Sequence, residues 1–96
     1  MEVGGPVEHD FHYLYDETEE TRTRFVSFIG ETTRFDLAIL TTNRFYGKKI
    51  VVNIQNGRSA IIGEDDLRQE GYLEFAFNIS EAEAAELKAF LERIIY

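Results

Sequence analysis

The chain has no cysteine and no tryptophan, a single proline and a single methionine, and only two histidines in 96 residues. The missing cysteines exclude disulfides, thiolate metal sites and cysteine nucleophiles at once. No apolar run approaches the roughly 20 residues that a membrane-spanning helix requires. The opening Met1-Glu2-Val3-Gly4-Gly5-Pro6 has neither the basic nor the apolar region of a signal peptide, so a cytoplasmic protein is expected. Catalytic signatures are equally scarce. Gly4-Gly5 precedes Pro6 rather than a phosphate-binding Lys-Ser/Thr, and no G-x-S-x-G surrounds Ser27, Ser59 or Ser80. His9 and His12, even with Asp10, fall short of the three or four rigidly held ligands of a metal site. Glu64-Asp65-Asp66 lacks the alternating oxygen ligands of a calcium loop. Asn78-Ile79-Ser80 has the form of a glycosylation acceptor, which has no meaning without secretion. No catalytic residue, metal or cofactor is expected.

What the chain does contain is an uneven distribution of charge. Residues 21–60 hold seven basic residues (Arg22, Arg24, Arg34, Arg44, Lys48, Lys49, Arg58) against Glu31 and Asp36, a net +5. Residues 1–20 carry seven acids and no base, and residues 61–96 carry nine acids and three bases. An acidic protein of net −8 therefore has a cationic middle that must face its own ends or a partner. Eight Phe and five Tyr supply enough apolar surface for one core and argue against disorder.

The expected organisation is a loose tail over 1–9 and one α+β domain over 10–96. Phe11, Tyr13 and Tyr15 alternate as a short strand, and Asp16–Glu20 is an acidic connection. Arg22–Ile29 and Arg34–Thr42 read as strands around a Gly30–Thr33 loop; pairing Ile29 with Arg34 sets Phe28 opposite Phe35 and Val26 opposite Leu37. The other face of that hairpin carries Phe25, Ser27, Ile29, Arg34, Asp36 and Ala38. Ile50–Gln55 and Arg58–Ile62 flank Asn56-Gly57, which suits a two-residue type I′ turn with Val52 opposite Ile61 and Ile54 opposite Ser59. Gly63–Asp66 breaks the strand pattern. Leu73, Phe75 and Phe77 alternate as a strand, although Leu73 and Phe77 also share a helical face. Ser80-Glu81-Ala82-Glu83 is a capping box, and Ala84, Leu87, Leu91 and Ile94 then form a helical stripe. These readings give an antiparallel sheet of about five strands with the C-terminal helix packed on one face. A small curled barrel closed by that helix is the alternative.

Tyr15–Phe35, Asp36-Leu37-Ala38, Arg44-Phe45-Tyr46-Gly47-Lys48 and Gly71-Tyr72-Leu73-Glu74, with the acidic, Leu-rich closing helix, resemble an uncharacterised family of short Firmicutes proteins, domain of unknown function 3055. The likeness covers about residues 12–94. It implies a cytosolic bacterial protein and supplies no catalytic residues.

Three functions remain open: a non-enzymatic protein-interaction module that binds an acidic partner or itself; a nucleic-acid or nucleotide binder working through the cationic middle; and a small enzyme with an unrecognised site. The candidate binding surface is Arg22, Arg34, Arg44, Phe45, Tyr46, Lys48, Lys49 and Arg58, since arginine and exposed aromatics dominate binding hot spots and stack on bases. Because both faces of the predicted sheet are partly apolar, Val51 and Ile62 are candidates for self-association as a homodimer.

Overall fold

The structure is a computed structural model and describes residues 10–31 and 33–95. The tail expected over 1–9, and His9 with it, lies outside them. Four strands come first: β1 (Arg22–Ile29), β2 (Arg34–Thr41), β3 (Lys49–Asn53) and β4 (Ser59–Ile62). They lie side by side in chain order, each antiparallel to the next. Three helices follow, α1 (Glu64–Arg68), α2 (Tyr72–Phe77) and α3 (Glu81–Ile95). The class is α+β, as the patterning predicts. Among the described residues the sheet has four strands rather than five and stays open, with β1 and β4 as its edges.

Local signals placed the first hairpin correctly. Ile29 pairs with Arg34, Phe28 with Phe35 and Val26 with Leu37. Gly30 N donates to Thr33 O at 2.8 Å to close the loop, and a Cβ at Gly30 would collide with the Glu86 carboxylate of α3. The loop and the helix thus meet only because this position has no side chain. The cap of α3 also forms as expected. Glu83 N donates to Ser80 Oγ at 3.1 Å, and Ser80 N donates to Glu83 Oε1 at 2.9 Å. Ala84, Leu87 and Leu91 are buried along the inner face of α3, while Phe90 stacks on Phe28 with 4.7 Å between ring centroids.

Four expectations are corrected. First, Phe11–Asp16 is not a strand. The side chains of Tyr15, Glu17 and Glu19 bind the loop between β2 and β3, and the segment joins none of the strand ladders among the described residues. Second, the β3–β4 turn is longer than two residues. Val52 pairs with Ser59 rather than Ile61, and Asn53 N donates to Arg58 O at 2.7 Å around residues 54–57. Only Gly57, at φ 77°, is left-handed there, so the type I′ geometry is absent. Asn56 serves instead as a brace: its Nδ2 donates to Phe77 O at 2.8 Å and its Oδ1 accepts from Arg58 N. Third, residues 72–77 are helical, with Leu73 and Phe77 buried one turn apart and Phe75 exposed. Left-handed Gly71 and Asn78 bound this helix. Residues 63–66, which break the strand pattern, open α1, where Gly63 N donates to Asp66 Oδ2 at 2.8 Å.

The fourth correction concerns which side of the sheet is covered. Ile39 pairs with Val51, placing Val51 beside Leu37 and Ile39 on the face under the helices. Val51 and Ile62 are both 0% exposed there, in one core with Leu67, Leu73, Phe77, Leu87 and Leu91. Neither can meet another chain. The uncovered apolar face is the opposite one.

Candidate functional site

Two surfaces carry unspent chemistry, one on each side of the sheet. On the uncovered side, the pairings set Leu40 beside Ile50 and Ile50 beside Ile61, with Phe25, Ala38 and Val52 in the next row. Phe25 is 74% exposed, Ile29 82% and Ile61 39%. Leu40, Ile50 and Val52 are half-buried. One polar cluster closes the end of this face. Asp36 Oδ1 accepts from Ser27 Oγ at 2.6 Å and from Arg34 at 3.1 Å, and its Oδ2 accepts from Gln55 Nε2 at 2.7 Å. These donors, Ser27 foremost, hold the Asp36 carboxyl below its ordinary range.

On the helix side, the sheet changes character at the end where β1 begins and β2 finishes. Successive inward positions on β1 run Phe28, Val26, Arg24, Arg22, so the core gives way to cations. Lys49 enters β3 beside Thr41, and its Nζ donates to Thr41 Oγ1 at 3.0 Å. The last turn of α3 brings Arg93 and Ile94 over the same place. The result is a cavity of about 420 Å³ lined by Arg22, Arg24, Lys49 and Arg93, with Thr41, Ile39 and Ile94 beside them and no acid among the described residues that line it. None of these four cations forms an ion pair among the described residues.

The expected binding surface therefore divides. Arg22 and Lys49 meet in the cavity. Arg34 is on the far side of the sheet, tied to Asp36. Arg44 is occupied by the acidic segment: it lies 3.0 Å from Glu17 and 3.8 Å from Glu19, with its guanidinium 5.0 Å from the Tyr15 ring centre. Glu17 above all raises the Arg44 pKa, and a hydrogen bond from Thr42 lowers that of Glu19. Lys48 pairs with Asp66 at 3.1 Å, which raises its pKa. Tyr46 is fully exposed, Phe45 is half-buried near Ile94 and Ile95, and Arg58 is exposed in the β3–β4 turn, outside the cavity. Sequence reasoning missed Arg24 and Arg93 as members of a site. Period-two alternation from Phe28 back to Arg22 was the available signal for Arg24; for Arg93, nothing local reveals that α3 ends above β1.

Among the described residues no helix is long and apolar enough to cross a membrane, and no cluster of His, Cys, Asp and Glu suits a metal ion. The model of the family described as SAV0927-like matches residues 14–93. A search of curated proteins finds no match.

Proposed function

The chain belongs to the SAV0927-like family, and on that premise we propose that it is a non-enzymatic interaction module whose binding surface is the uncovered face of the sheet and whose partner is a second copy of itself. The cytosolic bacterial setting implied by the Firmicutes resemblance is part of the same proposal. The exposure of Phe25 and Ile61 around an apolar centre of Leu40, Ile50 and Val52 carries it. A contiguous apolar patch on a monomer of this size is typical of an interaction site. Self-recognition is favoured by charge. The Arg34–Asp36 cluster on this face is internally neutral, whereas helices α1–α3 on the far side carry eight of the nine acids of residues 61–96. Two copies can therefore stack these faces about 10 Å apart while keeping their acidic helices outermost.

Strands about 4.8 Å apart and about 20 Å long give a face of about 400 Å² in plan. That is at the small end of specific interfaces, so dissociation in the micromolar range is expected. Sedimentation of the purified chain tests it. A monomer–dimer equilibrium is expected, and Phe25→Asp shifts it to monomer without unfolding the chain, because Phe25 is already 74% exposed. A monomer at all concentrations up to about 100 μM overturns the reading.

A further inference from the structure

We infer that the cavity between β1, β3 and the end of α3 is a binding site for a small phosphorylated molecule. It stands on a different face from the dimer surface, so either can fail without the other. Arg22, Arg24, Lys49 and Arg93 converge on one space with no carboxylate among its lining residues, in a chain whose net charge is −8. Carboxylates are plentiful nearby, and the structure uses them elsewhere: Glu17 and Glu19 on Arg44, Asp66 on Lys48. Four like charges around one open cleft disfavour one another, and an anion between them relieves that repulsion. Three are arginines, whose planar guanidinium matches a phosphate with two parallel hydrogen bonds.

Thr41 completes the donor set. Its Oγ1 accepts from Lys49 Nζ, which leaves the hydroxyl proton to point at an anion in the cavity. The apolar wall of Ile39 and Ile94 suits the organic part of the ligand. A volume of about 420 Å³ is that of a typical small-molecule site. Long nucleic acid fits less well: the acidic segment 16–20 is bound to the neighbouring β2–β3 loop, where its carboxylates would repel a continuing phosphate backbone.

The test is an amide-shift titration of the intact chain with inorganic pyrophosphate, adenosine 5′-monophosphate, citrate and single-stranded oligouridylate at low salt. Saturable shifts confined to residues 22–24, 39–41, 49 and 93–94 are expected with the two phosphate compounds. Arg24→Glu and Arg93→Glu should each weaken binding at least about tenfold, since each removes a charge-assisted contact and adds a repulsion. Arg58→Glu, outside the cavity, should leave affinity unchanged. Lys49→Gln is the milder variant should either reversal disturb the fold, and it too must weaken binding. Four results overturn the proposal: no saturable shift below about 10 mM; citrate binding as tightly as pyrophosphate; oligouridylate binding more tightly than adenosine 5′-monophosphate; or equal weakening by Arg58→Glu.

Discussion

Leu91 and Ser80 do different work in the same helix, and the size of their contributions separates them. Leu91 is 0% exposed against the sheet, so Leu91→Ala removes buried methyl groups and leaves a cavity, at a cost of about 2–5 kcal/mol. Ser80→Ala removes one hydrogen bond to Glu83 N and costs about 0.5–2 kcal/mol. Lys88, exposed on the outer face, is the control; urea melts in which Leu91→Ala matches Lys88→Ala would mean that α3 is not docked. Asp36 sets a pH dependence. Its folded pKa lies below the ordinary 3.8, so its contribution is present above the unfolded value and lost as pH falls through the folded one. Glu19, also lowered, acts in the same sense. Thermal stability is therefore expected to fall as pH drops below about 4, and Asp36→Asn to flatten that decline. An unchanged slope in Asp36→Asn melts would remove Asp36 from the account.

At the level of elements, the β3–β4 hairpin shows how a favourable dipeptide yields to its surroundings. Asn56-Gly57 suits a two-residue turn, yet the chain spends Asn56 on the carbonyl of Phe77 at the end of α2. Ile54 N donates to Asp36 O at 2.9 Å, which further holds the longer loop against β2. The turn is thus a clasp between sheet and helix. Asn56→Ala should cost about 1 kcal/mol through that bridge. Gly57→Ala should cost about 1–2 kcal/mol because of the left-handed φ of 77°. If Gly57→Ala is neutral in chemical denaturation, the loop has another conformation. The same tertiary pull explains α2. Six residues make a weak helix alone, but Leu73 and Phe77 both enter the core once the chain turns at Gly71.

For the whole molecule, the two sides of the sheet predict opposite responses to salt. Stacking of two acidic chains through an apolar face should tighten as salt screens their repulsion. Phosphate binding in the cationic cavity should weaken as salt competes for the same guanidinium groups. Sedimentation and ligand titration, each at low and at moderate salt, read these signs directly. A dimer that dissociates with added salt would point to an electrostatic interface in place of the apolar one.

The alternation in residues 22–41 determined the first hairpin to the residue, and the Ser80–Glu83 box with its Leu stripe determined the last helix, because both signals act between close neighbours in sequence. The cationic middle was equally legible as composition. Which cations remained available was not, since Arg44 and Lys48 met acids from distant segments while Arg22, Arg24 and Lys49 met Arg93. The buried face was likewise decided by tertiary structure. The hairpins leave Val51 and Val52 equivalent as apolar residues on opposite faces, and only the pairing of Ile39 with Val51 across the 42–48 connection put Val51 under the helices and left Val52 on the open side. Period-two patterning states which residues share a face; burial belongs to whichever face the helices reach.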